Sequence, residues 1–290
     1  MTEGAVIQHI LSFGPVFLLI AVRAFAMIQT APLLSSEAIP MVVRLALAGL
    51  AAFAVIPTAE VYMAANSPNG IVTLPGGTIT DLRHETFSLM FALLVVGEAI
   101  IGIIIGFFIT VVFAAFSTAG QFFSLQMGFG ASETFDPVAQ IENPLMGQYF
   151  NLVSMLIFVV IGGFHQLFLG GFWRSVQTIN VMSIIDGRES IVMMMASGLS
   201  RLFLDAIIIS LPILGTLFLT SLTTGLISKA APQVNILSEG FPISIMTAFV
   251  LIFASLPFLV EAFIRVIDSG FASIQTLYIQ IGRQITGGGL

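Results

Sequence analysis

The chain has 290 residues, 57% of them hydrophobic and 8% charged, with a net charge of −6 and no cysteine. A soluble domain carries about a quarter charged residues, so this inventory cannot cover a water-soluble surface and places the chain in a membrane. The acidic balance excludes a basic footprint for nucleic acid, and the lack of cysteine excludes disulfides and thiolate metal sites.

The N-terminus, MTEGAVIQHI, has no Lys or Arg, and Arg23 interrupts the apolar run just before Ala24-Phe25-Ala26. The first segment therefore reads as a retained helix and not as a signal peptide. About six apolar segments follow one another, over 5–29, 41–63, 87–119, 145–172, 199–227 and 241–265, each near the ~20 residues that cross a bilayer. The third and fourth are too long for a simple crossing, which predicts tilted helices or re-entrant continuations. Polar breaks at Asn66-Ser67-Pro68-Asn69-Gly70, Asp136-Pro137, Asn143-Pro144 and Asp186-Gly187-Arg188 separate the segments. No linker is long enough to divide domains, so the fold class is a single all-α membrane domain over 1–290. Six crossings put both termini on one side, and the distribution of Arg and Lys places that side in the cytoplasm. There are 27 Phe but only 1 Trp and 3 Tyr. So thin an interfacial belt reflects either compositional bias or helices surrounded by partner subunits.

Glu98 stands inside the third segment with no basic residue a helical turn away. Glu261 and Arg265, and Arg201 and Asp205, have the i,i+4 spacing of a helical ion pair. A carboxylate at membrane depth costs several kcal/mol unless paired, protonated or hydrated. Glu98 is thus either a structural buried charge or a proton carrier. Gly102 and Gly106 form a GxxxG that lets two helices approach closely. His9, His84 and His165 lack ligand spacing, and no phosphate loop, nucleophile elbow or carboxylate cluster occurs, so neither enzyme nor cofactor is expected.

Two stretches between the apolar segments stand out in composition. In QFFSLQMGFGASETFDP, Gln121 to Pro137, apolar Phe122, Phe123, Met127, Phe129 and Phe135 surround Gly128 and Gly130. Read from the residues alone, this stretch is an ordinary inter-helix loop. In GLISKAAPQVNILSEGFP, Gly225 to Pro242, Lys229, Pro232, Gln233, Asn235, Gly240, Phe241 and Pro242 form a polar connector of restricted backbone, a surface fitted to another protein.

These two stretches, together with TAPLLSSEAIPMVVRL at Thr30–Leu45 and the turn Gly163-Phe164-His165, resemble the FliR family of the bacterial flagellar export gate, whose injectisome counterparts are the SctT proteins. The four motifs occur in family order over most of the chain. The resemblance implies long helices folded as bent hairpins, a FliP-like part fused to a FliQ-like part. It implies assembly with FliP and FliQ in the bacterial inner membrane at the flagellar basal body, with FlhB and FlhA on the cytoplasmic side. Unfolded flagellar proteins would be the cargo, and the stretch Gln121–Pro137 a pore plug. The rival readings are a proton-coupled secondary transporter using Glu98 and a purely structural membrane subunit.

Overall fold

The computed structural model describes residues 3–66, 73–74, 77–78, 89–128, 145–179, 181, 187–230 and 236–287; side chains are described at 14–56, 89, 91–128, 145–179, 181, 187–230, 240 and 242–281. Eight helices account for nearly all of these. They are α1 (Glu3–Thr30), α2 (Met41–Asn66), α3 (Leu89–Met127), α4 (Leu145–Val160), α5 (Gly163–Thr178), α6 (Arg188–Ala230), α7 (Ile236–Ala254) and α8 (Leu256–Gly287). A two-residue antiparallel ladder, Thr73–Leu74 with Gly77–Thr78, lies between α2 and α3. The chain is therefore an all-α membrane protein.

Among the described residues, α3 and α6 are each long and apolar enough to cross a bilayer, and the number rises to 4 if the interrupted pairs α4–α5 and α7–α8 each count as one span. The shorter apolar stretches of α1 and α2 cover Gly14–Thr30 and Met41–Ile56. A count of six spans is not reached. The fourth and sixth segments are not single helices, and their interruptions have visible causes. Between α4 and α5, Gly162 adopts a left-handed φ of 73°, which a side chain would disfavour. Between α7 and α8 the axis turns by 67° at Ser255, two residues before Pro257. Proline is tolerated in the first turn of a new helix but not in the middle of a continuing one.

Two boundaries move outward. The third segment extends past residue 119, through Gly120, to Met127, and Gly128 ends it. The fifth starts at Arg188, directly after Gly187, and runs 43 residues with Pro212 inside it. Along α6, Thr216, Thr220, Thr223 and Thr224 each donate their hydroxyl to the carbonyl four residues earlier, at 2.8 to 3.0 Å.

The chain divides into two compact units. One comprises Met1–Thr110, Phe164–Ala196 and Phe271–Leu290; the other comprises Val111–Gly163 and Ser197–Gly270. In the first unit, Ala24, Met27 and Ile28 on α1 and Ala31 just after it are fully buried, as are Ile101 and Ile105 on α3 to within 3%. The α1–α2 connection is tied down by Arg44, which donates to the Gln29 side chain at 2.5 Å and to the carbonyls of Ser35 and Ser36. In the second unit the core is aromatic. Phe113, Phe116, Phe123, Phe150, Phe158 and Phe263 form a chain of ring contacts with centroids 4.3 to 6.1 Å apart.

Candidate functional site

The GxxxG of α3 packs α3 directly against the α1 backbone. A Cβ at Gly102 would overlap the carbonyl oxygen of Arg23, and one at Gly106 would overlap the Thr30 hydroxyl and come within 2.7 Å of the Met27 carbonyl. Small residues four apart give this approach, and the hydroxyl of Thr110 uses it, reaching the Thr30 carbonyl at 2.6 Å.

That approach brings Glu98 to a partner. Glu98 lies one turn before Gly102 and accepts a bond from Arg23 Nε on α1 at 2.5 Å, both side chains being largely shielded at 13% and 4% exposure. The other two nitrogens are occupied at the C-terminal end of α5, on Ser175 and on Ile179 just after it. Nη1 donates to Ser175 Oγ at 3.2 Å and Nη2 to the Ile179 carbonyl at 3.0 Å. Ser175 in turn donates to the Phe172 carbonyl at 2.6 Å. One arginine thus neutralises a carboxylate on α3 and secures the C-terminal end of α5. Removing a buried charge's partner is far costlier than the pair itself is stabilising, so the two residues are interdependent.

The middle of α5, Gln166–Trp173, is wound as a π-helix. The Gly171 carbonyl within it accepts the hydroxyl of buried Tyr278 at 2.7 Å. Neither Tyr278 nor Ser175 stands out in the sequence. Arg23 does, as a lone basic residue in an apolar run, and its counterpart is the lone acid in another such run.

In the second unit the structure corrects the extent of the expected Gln121–Pro137 loop. Residues 121–127 are the last turns of α3. Phe123 and Met127 have no exposed surface, and the Phe123 ring meets Phe150 edge-on at 4.9 Å. Phe122 is half-buried. Gly128 is the residue that ends the helix. Its φ is 88° and its N–H donates to the Leu125 carbonyl at 3.2 Å. Left-handed glycine just past the last turn is the usual helix stop. Phe129, Gly130 and Phe135 lie outside the described residues.

The other expected surface is also partly helical. Lys229 is exposed on the last turn of α6, and Gly240, Phe241 and Pro242 lie within α7, with Pro242 exposed. The sixth apolar segment begins at 241 in the sequence, beside Pro242, yet α7 begins at Ile236 and tolerates the ring with the loss of one backbone bond. Pro232, Gln233 and Asn235, and the side chain of Phe241, lie outside the described residues. Glu261 and Arg265 form the i,i+4 pair their spacing implies, at 3.9 Å and well exposed. No group of three or more His, Asp or Glu able to hold a metal occurs among the described residues.

The sequence of this chain matches known proteins along most of its length. The family described as bacterial export proteins, family 1, matches residues 15–270. The flagellar biosynthetic protein FliR of Borreliella burgdorferi is 33% identical over 187 residues, which cover 64% of this chain and 70% of that protein. FliR of Bacillus subtilis is 27% identical over 247 residues, 84% of this chain and 87% of that protein. FliR of Escherichia coli is 28% identical over 246 residues, 81% and 82% of the two chains.

Proposed function

The chain belongs to the bacterial export proteins, family 1, and from that premise we propose that it is a structural and gating subunit of the flagellar type III export channel. In this reading it lies in the bacterial inner membrane at the basal body. It joins FliP and FliQ around the entrance pore for unfolded flagellar proteins, with FlhB and FlhA as cytoplasmic-side neighbours. Lys229 and the segment to Pro242 are the contact surface for another subunit.

The observation that supports gating is the way α3 ends. Phe123 and Met127 anchor the last turns in an aromatic core, and Gly128 turns the chain out of the helix in a conformation open mainly to glycine. In this reading Phe129, Gly130 and Phe135, which follow Gly128 in the sequence, supply the apolar closure. Glu98 serves this reading as a structural charge. Its carboxylate is engaged by Arg23, which suits a clamp better than a proton carrier.

The test is deletion of Gly128–Thr134 in the chain co-expressed with FliP and FliQ. The membrane is expected to leak small ions while the three subunits still co-purify. Gly128→Val should do the opposite, lowering secretion without leakage, because a β-branched residue resists the left-handed backbone. An intact complex whose conductance ignores the deletion overturns the proposal.

A further inference from the structure

Half of α5 is not α-helical. Gln166–Trp173 is wound with backbone bonds that reach five residues back, a form that is rare and mostly confined to single turns. The end of this winding is visible at Arg174. Its N–H donates to the carbonyls of Leu169 and Gly171, five and three residues earlier, on either side of the α-helical acceptor Gly170. Gly170 and Gly171 both lie within the stretch, yet neither adopts a left-handed φ. A Cβ at Gly170 would come no closer than 3.9 Å, to Gln275 Nε2, and one at Gly171 no closer than 3.6 Å, to Ile105 Cγ2. Glycine weakens a helix interior relative to alanine, and no steric demand offsets that here. What the pair supplies is backbone freedom.

Two further features set this winding apart from a fixed one. On the α2 side, Phe168, Leu169, Phe172 and Trp173 border a space of about 360 Å³, room in which these side chains can shift without displacing α2. Trp173 Nε1 is buried with no acceptor, a hydrogen bond that the present winding leaves unmade. The bond that holds the stretch comes from another helix. The buried hydroxyl of Tyr278 on α8 donates to the Gly171 carbonyl at 2.7 Å. Just beyond, Arg23 donates to Ser175 Oγ and to the Ile179 carbonyl.

We propose that Gln166–Trp173 is a winding switch latched by Tyr278. With the latch closed, the stretch is π-wound and Ser175 and Ile179 face Arg23. With the latch open, it rewinds as α-helix, and the register beyond it changes by about one residue, which is about 100° of rotation and about 1.5 Å of advance. Ser175 and Ile179 then leave Arg23, while Arg23 keeps Glu98 and α1 stays seated on Gly102 and Gly106. The device moves the C-terminal end of α5 and leaves the contact between α1 and α3 in place. It rests on the winding of this chain and not on the export role.

The absence of cysteine makes the test direct, since spin labels attach only where a cysteine is introduced. Labels on His165→Cys and Arg174→Cys, both exposed positions, bracket the π-wound stretch. The full chain is reconstituted in phospholipid bilayers, and the distance between the labels is read from their dipolar broadening. With Tyr278 and both glycines intact, one distance should dominate. Tyr278→Phe keeps the ring and removes only the hydroxyl. It should raise a second distance about ten-fold relative to the first, the worth of one hydrogen bond of about 1.4 kcal/mol. Gly170→Ala should raise the same second distance with Tyr278 intact, because alanine favours α-winding and its methyl has room. This variant keeps the test decisive should Tyr278→Phe fail to fold. A single unchanged distance in both variants would mean that packing fixes the π-winding, and would overturn the switch. A second distance raised by Gly170→Ala but not by Tyr278→Phe would overturn the latch.

Discussion

Over Glu98–Thr110, α3 is held by small residues, hydrogen bonds and an ion pair; over Phe113–Phe123 it is held by aromatic rings. The first contact is directional. Gly102 and Gly106 fit one register against α1, and each of the three Arg23 guanidinium nitrogens donates to a partner set by that register. The second is adhesive. Edge-to-face rings contribute about 0.5–1.5 kcal/mol each beyond their burial, and they tolerate small shifts that a glycine seam does not. One helix therefore carries two kinds of packing. Without a hydrophobic drive between helices in lipid, close packing and polar bonds have to specify the register, and they do so only where the small residues sit.

The contrast predicts a ranking of mutational effects. Gly102→Val should be the most damaging. The new side chain would overlap the α1 backbone, which cannot yield as a flexible side-chain tip can, and the seam must open along its length. Almost no correctly folded chain should be recovered from membranes; near-normal recovery would break the distinction between the two halves. Arg23→Ala comes next. It strands Glu98 and two acceptors at the C-terminal end of α5, a loss of about 3–5 kcal/mol by the general cost of an uncompensated buried charge. Thermal aggregation of the chain in detergent should begin at markedly lower temperature, and adding Glu98→Gln should restore part of the loss. If the double variant is worse than Arg23→Ala alone, the two residues do not act as a pair. Phe123→Leu should be mildest, about 1 kcal/mol, since the aromatic core can re-pack around a smaller apolar side chain. A loss as large as that of Arg23→Ala would mean that the rings too are register-specific.

The same two halves differ in how well they can be read from sequence. The GxxxG signals a close helix contact, and the contact is there. The partner of Glu98 is 75 residues away on α1, a separation no local spacing rule reaches. Spacing did identify Glu261 with Arg265, because both are on one helix. At the end of α3 the apolar residues and the glycines were visible together, but their roles differ. Phe123 and Met127 belong to a core assembled from α3, α4 and α8, and only tertiary packing shows that they continue the helix. Pro242 illustrates the opposite error. Its ring is a strong local stop signal, overridden in α7 by the apolar face that follows it. The π-wound stretch of α5 has no signature that periodicity could detect, since a single-residue change of winding leaves apolar residues on every side.

The threonines of α6 carry a consequence for how this helix meets its surroundings. Hydropathy scales treat each hydroxyl as a group in need of water. In α6 those of Thr216, Thr220, Thr223 and Thr224 are already bonded to carbonyls of their own helix. What remains outward is a γ-methyl. The exposed side formed with Phe218, Leu219 and Leu222 is therefore wetted far less readily than its composition suggests. Substituting valine at Thr223 would keep the shape and return one carbonyl to a single donor, and the helix should straighten slightly there, because hydroxyls that share a backbone acceptor bend the helix that carries them.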